Sequence, residues 1–295
     1  MIRLFSQLTR ACAGLGVFLL LGCGGGADSS GAIGGIGGTG IKGPVNGATV
    51  TAYAINNGVV GARVSTAATD AQGNFTLSIG SHSGPVMLQM SGGTYIDEAT
   101  GTTMTMAPGD VMSAMLPSVA AGAMVSGIQV TPLTSMAQSM AQRMTGGMTD
   151  ANIATANRAI GNYFMVGDIL RMAPMNPLVS GAGATATQEM RNYGMTLAAM
   201  SQYAKNLGMT LPSGIVTAMM IDASDAIMDG RAAGSPIGMG GGMMSGSMMR
   251  PDAGTVGLAT AMADFMNSGF NKSGLTAASM TALMQQMRNS DGRMH

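Results

Sequence analysis

The stretch GMGGGMMSGSMM, residues 238–249, has methionine as its main side chain and no charged, aromatic or β-branched residue. Thioether sulfur is a soft ligand that selects Cu(I), and flexible Gly and Ser neighbours would let several sulfurs face one ion. The candidate ligands for Cu(I) or Ag(I) are Met239, Met243, Met244, Met248 and Met249. The alternative is an irregular loop, over residues 235–252, in a chain that has 33 methionines and uses most of them as gap-filling core side chains.

A second candidate site is acidic. Asp222, Asp225 and Asp229 occur in IDASDAIMDG at the predicted end of a helix, and spacings of three and four would place them on one face. Several carboxylate oxygens near a glycine suit Ca²⁺, although the spacing is not that of an EF-hand loop. The alternative is a solvated helix face, at an end where the helix dipole disfavours anions.

Acid–base catalysis has weaker candidates. Asp97 and Glu98 lie in YIDEATG, where a catalytic acid would need a second carboxylate or a histidine within reach. The alternative for these two residues is a role in a turn. The chain has no G-x-S-x-G nucleophile elbow, and its GxGxxG-like strings do not follow a strand and open a helix. We therefore expect a protein that is not an enzyme and has no cofactor, with Cu(I) as the alternative.

The N-terminal residues MIRLFSQLTRACAGLGVFLLLGC combine two arginines with a short apolar run that is too short to span a bilayer. The ending Leu20-Leu21-Gly22-Cys23 resembles the lipobox of bacterial lipoproteins. The resemblance implies a signal peptide over residues 1–22, lipidation of Cys23 and, because Gly24 rather than Asp follows, sorting to the outer membrane. The predicted mature chain then keeps no free thiol, so a thiolate nucleophile or thiolate metal site is excluded.

Charge and composition restrict the partners. Loss of Arg3 and Arg10 with the signal takes two from 14 basic residues, against 14 acidic ones, so the mature net charge is about −2. This balance gives no indication of nucleic-acid binding. Residues 23–41 are rich in glycine after the cysteine, which predicts a flexible tether with a reach of roughly 25 Å.

From residue 42 to residue 131 the pattern indicates strands. FTLSI alternates, with Phe75, Leu77 and Ile79 on one face, and Val86, Leu88 and Met90 alternate again. Turn residues separate these runs, which predicts an antiparallel β-sandwich. The segments GPVNGATVTAY, TDAQGNFTLSI and GPVMLQMSGGTYIDEATG resemble the carboxypeptidase regulatory-like domain, a transthyretin-like sandwich found in bacterial surface lipoproteins. The zinc-bearing catalytic domain of such carboxypeptidases has no counterpart here.

From residue 132 to residue 290 the apolar spacing becomes helical. Thr149 and Ser213 are predicted N-caps, and the run from Met190 to Leu207 follows a 3-4-3-4 spacing that Gly208 ends. This predicts a helical bundle. VTPLTSMA and YGMTLAAMSQYAKNLG resemble uncharacterised lipoproteins that join the sandwich to a helical region.

Together these patterns predict an α+β protein of two domains, a transthyretin-like sandwich followed by an α-helical bundle. The predicted function is that of a non-catalytic, lipid-anchored binding or scaffolding module of the outer membrane, on its periplasmic face or at the cell surface. The expected partners are the membrane, through the lipid, and an envelope protein or polysaccharide. The alternative is a Met-rich envelope lipoprotein that binds Cu(I) or Ag(I).

Overall fold

The chain is a mixed α+β protein. Its strands follow an alternation of apolar and polar residues, and its helices follow apolar residues repeated about every 3.6 positions. The computed structural model describes residues 34–239 and 248–295. The run FTLSI lies in a strand that buries Phe75, Leu77 and Ile79 and exposes Thr76 and Ser78. Cys23, Met243 and Met244 lie outside the described residues.

The strands of the first half pair into two larger sheets and a hairpin. They are β1 Gly34–Gly40, β2 Thr49–Asn56, β3 Val59–Ala68, β4 Asn74–Gly80, β5 Gly84–Ser91, β6 Thr94–Ile96, β7 Thr103–Thr105, β8 Val111–Val119 and β9 Met124–Val130. One sheet has the order β4-β1-β9 and the other β3-β2-β5-β8, while β6 pairs with β7. All these pairs are antiparallel except β1 with β9, which is parallel.

Strand β1 differs from the sequence prediction, which placed residues 34–41 in the flexible tether. Its glycines let neighbouring groups lie directly against the backbone, where a side chain would not fit. A Cβ on Gly38 would be 2.1 Å from the carbonyl oxygen of Ile128, and one on Gly40 would be 2.3 Å from the sulfur of Met90. Glycine here therefore serves close packing, so composition alone gave the wrong prediction for this segment.

The second half is mainly helical. Its helices are α1 Pro132–Arg143, α2 Asp150–Tyr163, α3 Ala182–Thr185, α4 Gln188–Asn206, α5 Gly214–Ala223, α6 Val256–Met266 and α7 Thr281–Asn289, and two short strands, β10 Arg231–Ala232 and β11 Ser235–Pro236, form a small hairpin. Thr149 caps α2, as predicted, because its side chain accepts the Asn152 N–H. No described helix is long and apolar enough to cross a membrane.

Strands and helices share one apolar core. The predicted boundary at residues 131–132 falls between β9 and α1, where Thr131 forms a capping box with Thr134. Ser135 on α1 accepts the Ser113 N–H of β8 at 2.8 Å, and the Tyr193 hydroxyl on α4 lies 2.6 Å from the Thr131 hydroxyl. Buried polar contacts of this kind fix α1 and α4 in position against the strands.

Candidate functional site

Lys42 is fully buried, which is rare for a lysine and requires charged partners. It follows β1, and the next residue, Gly43, has a φ of +62°. A Cβ on Gly43 would be 2.4 Å from the Ile96 carbonyl oxygen, so only glycine lets this turn lie against the end of β6. The turn thereby delivers the lysine side chain into the interior beside Asp97 and Glu98.

The Lys42 ammonium meets three oxygens. Its Nζ is 3.3 Å from Asp97 Oδ2, 3.2 Å from Glu98 Oε2 and 2.5 Å from the Ser201 Oγ on α4. It also lies 4.9 Å from the ring centre of Tyr95. Within the described residues, Asp97 and Glu98 each form an ion pair with Lys42. We call Lys42, Asp97, Glu98 and Ser201 the lysine cluster.

The two carboxylates are held by further hydrogen bonds. Asp97 Oδ1 accepts the Ala99 N–H at 3.1 Å, the Thr100 N–H at 3.2 Å and the Thr100 hydroxyl at 3.1 Å. Glu98 Oε1 accepts the Gly43 N–H at 2.8 Å, and Glu98 Oε2 accepts the Ser201 hydroxyl at 2.5 Å. The predicted turn after β6 is therefore present, and the Asp97 side chain organises it.

The electrostatics keep the lysine charged. Burial by itself lowers the pKa of Lys42, but the charges of Glu98 and Asp97 outweigh burial, and the net pKa is raised. Burial has the opposite effect on an acidic group, and it raises the pKa of the Tyr95 hydroxyl to about 12. A protonated lysine cannot serve as a general base, so the Ser201–Lys42 contact is not an activated serine nucleophile in this state.

A concave surface lies next to the lysine cluster. A small pocket of about 50 Å³ reaches Glu98 between the Ile41–Pro44 turn and the 174–177 segment. Gly194 lets α4 approach that segment, because a Cβ there would be 1.9 Å from the Met175 carbonyl oxygen.

A wider cleft of about 470 Å³ adjoins the pocket and shares Pro44 and Asn176 with it. Ile96 and Val179, at its sides, are 48% and 52% exposed. Its other walls include Asn46, Thr94, Thr103 and Leu178, so it combines apolar surface with a few polar groups.

The predicted methionine site is partly in the core. Met239 and Met249 are buried, whereas Met248 is 56% exposed. Gly238 pairs with Met248 in an isolated bridge, and the Met249 N–H donates to the Ile237 carbonyl at 2.8 Å. The two ends of the stretch therefore meet in a short ladder, and two of the described thioethers face the core.

The three aspartates do not share a helix face. Helix α5 ends at Ala223, before Asp225, because Ala226 has a φ of +67° and the chain turns. Asp222 is fully buried, against the expected solvated face, and its Oδ1 accepts the Asp229 and Gly230 N–H groups. In the described ranges no three His, Cys, Asp or Glu side chains form a metal-binding group.

One predicted cap was also wrong. Ser213 makes no side-chain cap to α5. Its hydroxyl instead donates to Asp110 Oδ2 at 2.6 Å and accepts the Ala107 N–H at 3.1 Å. A long-range partner has replaced the local one, which a local sequence pattern does not show.

Sequence reasoning considered Asp97 and Glu98 but missed Lys42 and Ser201. The available signal was Lys42 itself, which interrupts a long glycine-rich run without any other charge nearby in sequence. Its partner residues are 55, 56 and 159 positions away, so no spacing rule connects them.

Comparison with known proteins adds little. No protein-family model matches the chain, and no curated protein matches it in sequence. Among solved structures, a 9R-lipoxygenase from Cyanothece PCC8801 is similar over 63% of this chain and 24% of its own, with 7% identity and a TM-score of 0.22. This chain thus spans about a quarter of that structure, and a likeness this weak carries no argument about fold or function.

Proposed function

We propose that this chain is a non-catalytic binding module of the bacterial outer membrane, anchored by lipid at Cys23, that holds a protein partner in the cleft beside Ile96 and Val179. The proposal includes a transthyretin-like sandwich built from the sheets β4-β1-β9 and β3-β2-β5-β8, followed by a helical bundle. The shared apolar core of the two sheets supports the sandwich. The lipobox-like LLGC supports the anchor.

The cleft is the observation that carries the proposal. Binding sites are concave and mostly apolar, with a few polar groups that fix orientation. Ile96 and Val179 offer exposed apolar surface there, while Asn46 and Asn176 offer hydrogen-bonding amides. Tyr95, the aromatic residue of the cleft, is buried and presents no ring for a sugar to stack on. This lining favours a protein segment over a polysaccharide.

The state of the buried charges supports a non-catalytic role. Lys42 is held protonated by Glu98 and Asp97, and the three donors on Asp97 Oδ1 fix that carboxylate in a turn. Such an arrangement suits a rigid wall for the cleft, because buried, fully hydrogen-bonded polar groups specify one conformation.

Site-directed photo-crosslinking in the intact cell envelope tests the cleft. A photoreactive residue at Val179 should give discrete protein adducts. A matched control at Val59, which is 61% exposed on the edge strand β3, should not. Equal adducts at both positions, or none at Val179, would contradict the proposal, and adducts to polysaccharide alone would replace the protein partner by a glycan.

Fractionation tests the anchor. Cys23→Ala should move the chain from the outer-membrane fraction to the soluble fraction, because one lipidated residue is the proposed attachment. Retention of the variant in the membrane fraction would show that the chain has another means of attachment.

The alternative function is Cu(I) or Ag(I) binding by the methionine stretch. The observation in its favour is the bridge between Gly238 and Met248, which brings the two ends of the stretch together. Since Met239 and Met249 face the core, the ligands in this alternative are Met243, Met244 and Met248.

A Cu(I) titration with a competing chromophoric chelator separates the two functions. The triple variant of Met243, Met244 and Met248 to Leu should lose binding, and the control variant of Met239 and Met249 to Leu should keep it. If the unaltered chain does not bind Cu(I), the alternative is wrong and the stretch is a loop.

A further inference from the structure

We propose that the Lys42 and Asp97 side chains condense into an intramolecular amide bond, with Glu98 as the proton carrier. The proposal goes beyond the binding function and does not depend on it. It assigns the lysine cluster a covalent modification that the chain performs on itself, between the end of β1 and the turn after β6.

The reacting groups are already in contact. Lys42 Nζ is 3.3 Å from Asp97 Oδ2, an oxygen bonded to the carboxyl carbon that the amine would attack, and both side chains are 1% exposed. Groups held at roughly 3–3.5 Å in a fixed orientation react as parts of one molecule and avoid most of the entropic cost of encounter. Burial fixes both side chains, so the amine has no other conformation to explore.

Asp97 is polarised for attack at its carboxyl carbon. Its Oδ1 accepts three hydrogen bonds, from the Ala99 N–H, the Thr100 N–H and the Thr100 hydroxyl. The same donors would stabilise the negative charge that develops on Oδ1 in a tetrahedral intermediate, as an oxyanion hole does. The other oxygen, Oδ2, faces the amine and is the one that leaves.

The protons balance without an added reactant. Nζ passes one proton to Asp97 Oδ2, and the resulting amine attacks the carboxyl carbon to form the C–N bond. Glu98 Oε2, 3.2 Å from Nζ, takes the second proton and returns it to Oδ2, which departs as water. An ammonium and a carboxylate thus become an amide and one water molecule, and Glu98 ends as it began.

The surroundings favour the amide. Asp97 and Glu98 place two carboxylates against one ammonium in a buried site, and each buried charge has a desolvation cost. Condensation removes one positive and one negative charge from the interior, and Glu98, which loses its cation, keeps the hydrogen bonds from the Gly43 N–H and the Ser201 hydroxyl. Burial of the Lys42 and Asp97 side chains also limits the access of water to the product.

Trypsin digestion of the full chain, after denaturation, gives a direct test. Free Lys42 is a cleavage site, and the next ones are Arg63 and Arg143, so an unmodified chain releases peptides 43–63 and 64–143. The amide should block cleavage at Lys42. It should join the peptide that ends at Arg63 to peptide 64–143 in a branched product lighter by one water molecule, and fragmentation should place the branch at Asp97.

Glu98→Gln provides the matched variant, because it keeps Lys42 and Asp97 but removes the proton carrier. It should release peptide 43–63, as should Lys42→Arg. Release of peptide 43–63 from the unaltered chain, with no branched product, would overturn the proposal whether or not the variants fold. A branched product in Glu98→Gln at the unaltered level would overturn the role of Glu98.

Discussion

Two buried acidic sites in this molecule differ in how the protein accommodates a buried carboxyl group. Asp97 and Glu98 are buried with Lys42, and their charges hold the lysine protonated. Asp222 is equally buried, but within the described residues its Oδ2 has no hydrogen-bond partner and no cation pairs with it. Burial raises the pKa of Asp222 to about 7, despite the N–H groups of Gly230 and Asp229 that lower it. The two sites therefore differ in the presence of a cation, since Lys42 lies beside Asp97 and Glu98 and no described cation pairs with Asp222.

Removal of the cation should give the largest effect. Relative to the ion-paired chain, before any condensation, Lys42→Met leaves Asp97 and Glu98 buried without a cation, and loss of one member of a buried ion pair costs about 3–5 kcal/mol. We expect the free energy of unfolding, measured by denaturant titration, to fall by that amount. Lys272→Met, at an exposed lysine, is the control and should change stability by no more than about 0.5 kcal/mol.

Neutralising the partners as well should restore most of the loss. The triple variant Lys42→Met, Asp97→Asn and Glu98→Gln contains no buried charge in this site, so it should be more stable than Lys42→Met alone. If the triple variant is as unstable as the single one, the charge comparison fails and packing of the lysine stem explains the effect.

The stability of the folded chain should depend on pH through Asp222, the buried acid that has no described cation beside it. Its pKa is raised from 3.8 to about 7 in the folded chain, so between these values the unfolded chain has lost a proton that the folded chain keeps. This contribution to stability is present below about pH 4 and is lost as the pH rises toward 7. The loss is up to about 1.4 kcal/mol per pH unit.

Asp222→Asn checks this prediction, because the amide oxygen can still accept the two N–H groups. The variant should gain stability relative to the unaltered chain as the pH rises from 4 to 7, with no further gain above 7. Parallel stability curves across this range would show that Asp222 is ionised in the folded chain.

The smallest effect should come from strand β1, which leads into the turn that holds Lys42. Gly38→Ala places a methyl group against the Ile128 carbonyl oxygen, and such overpacking costs about 1–3 kcal/mol. Gly37→Ala is the matched control, since its nearest neighbour would be 3.8 Å away. Gly38→Ala should leave the pH effect of Asp222 unchanged. A loss of that effect would show that the two sites are coupled.

Sequence patterns predicted the elements that carry their own periodicity. The alternating strand at 75–79, the helix from 188 to 206 and the cap at Thr149 depend on neighbours within a few residues. Strand β1 has no such signal. Its glycines are required because groups from distant segments, such as Ile128 and Met90, lie too close to the backbone for a larger side chain. The lysine cluster was missed for the same reason, since three of its members are each far from Lys42 in sequence. Ser213 was misread because its partner Asp110 is distant in sequence, and Asp222 because the chain turns at Ala226 and brings the Asp229 and Gly230 N–H groups to its carboxylate.

The position of β1 has a mechanical consequence. The strand is the first described segment of the chain, yet it lies between β4 and β9 and is hydrogen-bonded along both edges. A force applied to the chain on the N-terminal side of Gly34 therefore acts along a strand that is hydrogen-bonded to two neighbouring strands. Both ladders must separate before the strand can slide out, so a force applied on this side meets both sets of hydrogen bonds before it reaches the rest of the fold.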